Sequence, residues 1–261
     1  MSATTIDGVI DQLQEVIDQC LAEGSRLGYF AALYKRMTIA VRDGIRGGVF
    51  EDAARMEALD VTFANRYLDT RTQYFAGELH GQSWLQAYEA ATTDRYTILQ
   101  HLLIGINPHI MIDLGVAAAR TCPGAALAAL ESDFGKINGI ILGLMPVIDA
   151  ELDRLSPTTA VLDRTIGALK DRFINKGLDE GRASSWAFAS KLAFLDLGQQ
   201  SIAIGHRDRE ALLIGEALEH DPIARLIKRK ESDDVRENLR VLCGAAATAS
   251  VQTPQTNSRP R

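Results

Sequence analysis

The sequence predicts an all-α protein, a helical bundle of about eight to ten helices. Three observations lead to that class. Apolar residues recur at spacings of three and four, as in Ile6, Val9, Ile10, Leu13, Val16, Ile17, Cys20 and Leu21, the repeat of a helix with one buried face. No segment alternates apolar and polar residues for long, and no Asn-Gly or Asp-Gly pair sits between β-branched runs. No repeat of fixed period is present, so no solenoid or propeller is indicated.

The elements follow in order. The first helix opens near Ile6, with Asp7, Asp11, Glu15 and Asp18 opposite its apolar stripe. An acidic polar face argues against a membrane-surface helix. Leu27 to Ile45 repeats the pattern through Phe30, Leu33, Tyr34, Met37 and Val41, and Gly47-Gly48 ends it. Asp52 to about Tyr74 forms the third helix. Gly81 and Ser83 open the next, where Ser83-Trp84-Leu85-Gln86 matches a capping box. Thr93-Asp94 starts the helix that carries His101, and Pro108 kinks or restarts it. Cys122-Pro123-Gly124 is a turn, after which Ser132 or Asp133 caps a long helix through Ile148 and Leu152. Ser156-Pro157-Thr158-Thr159 reads as a linker before a new helix. Asp179 to about Gly205, Arg209–Glu219 and Asp233–Ala247 are further helices, with His206-Arg207-Asp208-Arg209 as a solvated turn. A single all-helical domain over residues 1–247 is expected, then a disordered tail, 248–261.

Composition bounds the partners. The chain has 261 residues, 46% of them hydrophobic, enough for a sizeable core. Its net charge is −6 with the basic residues scattered, so it offers no face for nucleic acid. The one dense basic run, Arg225 to Lys230, is followed at once by Glu231, Asp233 and Asp234 and reads as a solvated helix end. Cys20, Cys122 and Cys243 are odd in number and far apart, which fits free thiols in a reducing compartment. The N-terminal residues have neither a basic n-region nor a continuous apolar h-region. The longest apolar stretch, Ile137–Ile148, is interrupted by Asn138, Gly139, Gly143 and Pro146 and falls short of the roughly 20 residues a membrane span takes. A cytoplasmic protein without membrane or nucleic-acid partners is expected.

The most informative stretch is Gln100 to Leu114, QHLLIGINPHIMIDL. It sets His101, Asn107, His109 and Asp113 in an apolar run, where unpaired polar groups are costly and need a metal, a ligand or each other. His109 and Asp113 are four apart and share a helix face. Imidazole plus carboxylate suits iron, zinc or manganese. His101 lies about 80° from His109 around an ideal helix, and a break at Pro108 would turn His101, Asn107 and His109 toward one point. The spacing is neither HExxH nor the ExxH of di-iron bundles. A structural network and a metal-free acid–base site, with Asp113 orienting His109, are the other two readings. A pocket lined by Tyr34, Tyr67 and Met37 would be compatible with the latter.

A second cluster holds Asp60, Arg66 and Tyr67, where Arg66 suits a carboxylate or phosphate and Asp60 and Tyr67 share one helix face. Ordinary pairing along a helix explains it equally well. Asp133 is either a further ligand or an N-terminal charge favoured by the helix dipole. No GxSxG elbow, P-loop or GxGxxG spacing occurs.

These segments resemble the uncharacterised family catalogued as domain of unknown function 5995. The resemblance is carried by Phe30 to Tyr34 with Thr38 and Val41-Arg42-Asp43, by Phe50-Glu51-Asp52, by Leu59-Asp60-Val61 through Arg66-Tyr67-Leu68, by Gln100-His101 through Asp113-Leu114, and by Asp133-Phe134 with Asn138. It spans about residues 30 to 145, with a looser match to about Trp186. The family's core reads N-A-H-I-N-x-D-L; here Pro108 replaces the usual alanine and Met111 the usual asparagine, which removes a polar group from the site. The resemblance implies an all-helical fold and supplies no reaction.

The expected function is an enzyme for a small, rather apolar molecule bound between helices, with metal-assisted chemistry favoured. His101, His109 and Asp113 would hold a divalent ion, with Asp60 or Asp133 completing the set, and Asn107, His109, Tyr67 and Arg66 would act on the ligand. The rival is a non-enzymatic ligand- or partner-binding helical protein whose polar cluster is structural.

Overall fold

Helix caps set most of the element order. In the computed structural model, which describes residues 2–156, 177–220 and 224–244, all regular structure is helical. Helix α1 (Ile6–Glu23) is capped by Thr5, whose hydroxyl accepts the Gly8 N–H at 3.1 Å. Helix α2 (Gly28–Arg46) follows, then α3 (Ala53–Ala76), capped by Asp52, and α4 (Gln82–Ala91). Helix α5 (Ile98–Pro108) opens on a Thr97–Gln100 capping box. It runs on through a π-helical turn, His109–Leu114, into α6 (Gly115–Thr121). A 3₁₀ turn, Gly124–Leu130, leads to α7 (Glu131–Leu155). Then come α8 (Gly177–Leu192), α9 (Leu197–Glu219), α10 (Ala224–Lys228) and α11 (Val235–Leu242).

Several expected boundaries move because caps outside the apolar pattern decide them. The helix carrying His101 starts after Thr97, not at Thr93-Asp94, since the Gln100 side chain reaches back to the Thr97 N–H. Ser83 does not cap α4; Asp208 of α9 accepts the Gln82 and Ser83 N–H groups at 2.8 and 3.1 Å. The expected helix from Asp179 to Gly205 is two, broken between Leu192 and Leu197, where Asp196 and Gln199 form a capping box. Residues 206–209 are helical, not a turn. The linker residues Pro157 to Thr159, the helix expected after them and the tail 248–261 lie outside the described residues.

The rod from Ile98 to Thr121 organises the rest. It is long and apolar enough by composition to cross a membrane, and 83% of its most apolar window is buried within the protein. The longest apolar segment is therefore this rod and not Ile137–Ile148. Helices α2, α4 and α9 pack on α5, and α3 and α8 pack on α6. Gly105 permits one close approach: a Cβ there would come within 3.0 Å of the Phe30 ring. Pro108 does not end the rod, which continues directly after it as a wider i→i+5 turn. Arg207 of α9 secures that turn by donating Nε–H to the Met111 carbonyl at 2.8 Å and Nη2 to Ser184 at 2.6 Å.

Asp133 is a structural anchor. Its buried carboxylate accepts the Glu51 and Asp52 N–H groups at 2.8 and 3.1 Å, with Arg55 and Lys136 at 3.0 and 2.9 Å. It thus fixes the α2–α3 loop to α7. Burial opposes its ionisation, but these donors outweigh that and hold its pKa well below the carboxylate range. The resulting stability is present above the unfolded value of about 4 and is lost as pH falls below it. Asp133→Ala is expected to cost about 2 kcal/mol at neutral pH, since Lys136 reaches the carboxylate from solvent and part of the gain is screened. Urea unfolding should show that difference shrinking from pH 7 toward pH 3.

Candidate functional site

The π turn is the base of the site. Widening the turn from i→i+4 to i→i+5 bonding brings side chains four residues apart closer to one azimuth, so His109 lies nearly over Asp113. His109 Nδ1 lies 3.3 Å from Asp113 Oδ2. Asp113 is fully buried and accepts two further bonds, from Arg66 Nε at 2.7 Å to Oδ1 and from Trp84 Nε1 at 3.0 Å to Oδ2. Burial alone would raise its pKa; Arg66 and the His109 and Trp84 donors bring it below the usual value. An ionised Asp113 accepts, so Nδ1 of His109 carries the proton and Nε2 keeps its lone pair.

Aromatic rings fix the imidazole in place. Phe63 stacks on it at 3.7 Å and 11°, and Tyr34 meets it edge-on at 4.4 Å. Phe30 and Tyr67 pack around it at 5.4 and 6.2 Å. Burial lowers the His109 pKa despite Asp113, so the ring is neutral at pH 7.

His109 opens onto an apolar cavity of about 110 Å³ between α2, α3, α5 and α7. Apolar cavities of this order, around 150 Å³, hold a single small aromatic molecule. The walls include Leu33, Met37, Met56, Leu102, Ile141 and Met145. Two buried polar atoms on lining residues, His109 Nε2 and Asp60 Oδ2, have no partner among the described residues, and a third, Tyr34 Oη, is buried beside the Thr38 side chain with no other partner there. Buried polar groups are rarely left unbonded, so these atoms can take a hydrogen-bonding ligand. Burial, then the charge of Glu57, raises the Asp60 pKa to about 7. Burial and the charges of Asp60 and Asp113 push the Tyr34 hydroxyl well above its ordinary value.

The residues expected in one site do not all meet in one place. His109 and Asp60 line the cavity, and Asp113 and Arg66 stand behind His109. Tyr67 packs behind Phe30 and Trp84, not on the cavity wall. Asn107 faces away and donates to the Ala211 carbonyl at 2.6 Å. His101 occupies a separate cleft with Arg26, Tyr29, Tyr96 and Lys228, where burial and those cations lower its pKa to about 3.

The five residues expected to hold a metal are therefore not brought together. His101 is in another cleft, Asp133 is filled by its anchor bonds, and Asp113 is filled by Arg66, Trp84 and His109. No group of three His, Cys, Asp or Glu side chains suited to a metal ion occurs among the described residues. The expected pocket residues Tyr34 and Met37 do line the cavity. Trp84 and Arg182 were not anticipated. Arg182 had a signal: it falls on the same helical stripe as Ser185, Ala189 and Leu192, all buried.

Fold and site together define an all-helical protein with a buried histidine–aspartate pair at the edge of an apolar cavity. The chain belongs to the family described as a family of unknown function (DUF5995), which it matches over residues 6–221. Comparison with curated proteins and with solved structures gave no match.

Asp60 supplies a test of the cavity's electrostatics. Between about pH 4 and 7 the folded protein holds a proton that the unfolded chain has lost, so stability falls as pH rises through that window. Asp60→Asn removes this loss. Relative to wild type, the variant should gain about 3 kcal/mol between pH 5 and pH 8.5, read from urea midpoints. A difference independent of pH would show that Asp60 titrates normally.

Proposed function

We propose that the chain is an acid–base enzyme acting on a small, largely apolar molecule that carries an oxygen function. The observation behind this reading is a pair of unpartnered polar atoms, His109 Nε2 and Asp60 Oδ2, beside the Tyr34 hydroxyl on one apolar cavity, the histidine being oriented by a buried carboxylate. His109 Nε2 is the proton acceptor. Asp113 holds its tautomer and stabilises the imidazolium formed when it takes a proton. Tyr34 and protonated Asp60 donate to the substrate oxygen as negative charge develops there. The Asp60 pKa of about 7 lets it donate near neutral pH and also return a proton. The fitting reaction class is proton transfer next to a carbonyl: a C–H proton moves to Nε2, the enolate oxygen is held by Tyr34 and Asp60, and a proton returns to carbon. The lining is mostly apolar, which strengthens each of these interactions. This reading routes nothing through a metal, because the donors that would hold one lie apart.

The test is hydrogen–deuterium exchange at the α-carbon of cyclohexanone and its alkyl derivatives in D₂O, followed by proton NMR. Wild type is expected to exchange these protons above the buffer rate. His109→Gln should lose roughly 10²–10⁴-fold, the usual share of a general base, and Asp113→Asn should be intermediate. Wild-type exchange no faster than His109→Gln across the series would overturn the enzymatic reading and favour a ligand-binding helical protein.

A further inference from the structure

One lining side chain has no part in this proton transfer. Arg182 of α8 is 3% exposed and lines the same cavity as His109 and Asp60. Buried charges are ordinarily paired with opposite charge. Arg182 has no carboxylate partner among the described residues. Its Nε donates to Asn138 Oδ1, its Nη2 donates to the Phe134 carbonyl at 2.8 Å, and its guanidinium lies over the Phe134 ring at 4.6 Å. Asp179, three residues earlier, acts on it only through space. Nη1 makes no hydrogen bond to any described residue. Burial lowers the pKa to about 10, so the group is still a cation at neutral pH.

Among the described residues this cation is met only by two neutral acceptors, a ring face and the through-space charge of Asp179, with no paired counter-charge. We infer that the occupant of this cavity is a small carboxylic acid, of short-chain or single-ring size, whose carboxylate pairs with Arg182 while its apolar body extends toward His109, Asp60 and Tyr34. This rests on the reading of the cavity as the substrate site. A carboxylate fits better than a phosphate. One guanidinium edge matches two carboxylate oxygens, whereas a phosphate would leave further charged oxygens unpaired among leucine and isoleucine side chains. The volume of about 110 Å³ sets the size limit. Arg182 is then a specificity-determining residue at the end of the cavity formed by α7 and α8.

The test compares acids with their own amides. Cyclohexanecarboxylate, benzoate and hexanoate, each beside its primary amide, are titrated into the full chain at pH 7.5 by calorimetry. At least one acid is expected to bind wild type roughly tenfold or more tightly than its amide, the usual yield of a hydrogen bond to a charged group. Arg182→Gln should abolish that preference, bringing acid affinity down to that of the amide. If Arg182→Gln does not fold, Arg182→Lys keeps the charge without the planar fork and should weaken acid binding severalfold with the amide unchanged. No acid outbinding its amide, a preference that survives Arg182→Gln, or acid binding unchanged in Arg182→Lys would each overturn the assignment. Acid preference without α-proton exchange would sink the acid–base reading alone; exchange without acid preference would sink the Arg182 assignment alone.

Discussion

The buried carboxylate of Asp113 is the constraint on which the rest of the site depends. A carboxylate with no solvent exposure must be fully paired or it will not stay ionised. Its three donors come from three places: Arg66 on α3, Trp84 on α4 and His109 on the π turn. Satisfying one anion thus ties two flanking helices to the central rod. It also settles which nitrogen of His109 carries the proton, and so which one is left for the cavity. Replacing Asp113 by a neutral group would do more than remove a charge, since Arg66 and Trp84 would lose the acceptor that orients them.

The π turn is the backbone counterpart of that constraint. An extra residue per turn is rare in helices and gathers at functional sites. Here it follows Pro108 directly and carries both members of the His–Asp pair. Proline removes one backbone donor, yet the helix continues past it as the wider turn. The carbonyl of Met111 within that turn is taken by Arg207. A local irregularity that would otherwise cost stability is held from outside by a helix almost a hundred residues later in the chain.

This distribution explains what the sequence made legible. Helical class and most apolar stripes follow from periodicity, because Val9, Leu13, Val16 and Ile17 repeat at the spacing of a buried face. The His109–Asp113 pair and Asp60 stood out as polar groups inside such stripes, and both are at the site. Grouping His101, Asn107 and Asp133 with them was not supported, since periodicity gives a residue's face but not its neighbour across the core. The π turn alters azimuth in a way that residue types alone do not announce. Asp208 capping α4, Glu231 receiving the Ile98 N–H and Arg207 gripping Met111 are long-range contacts, and no local pattern encodes them. Arg182 was legible in principle, as a cation on a core stripe, yet its lack of a carboxylate partner among the described residues is seen only in three dimensions.

The polar residues of the cavity are divided by environment into distinct roles. Asp113 and Asp60 are both carboxylates and both buried. Asp113 has a guanidinium and two N–H donors and stays ionised; Asp60 has desolvation and a neighbouring acidic charge and holds its proton toward neutral pH. Two like groups pushed in opposite directions are the arrangement by which one pocket offers both a stabilised imidazolium and a proton donor. Had Arg66 and Asp60 faced each other, neither role would exist. Arg66 bonds Asp113 behind His109 while Asp60 lines the cavity beside the charge of Glu57, and that difference in surroundings is what drives the two carboxylates apart.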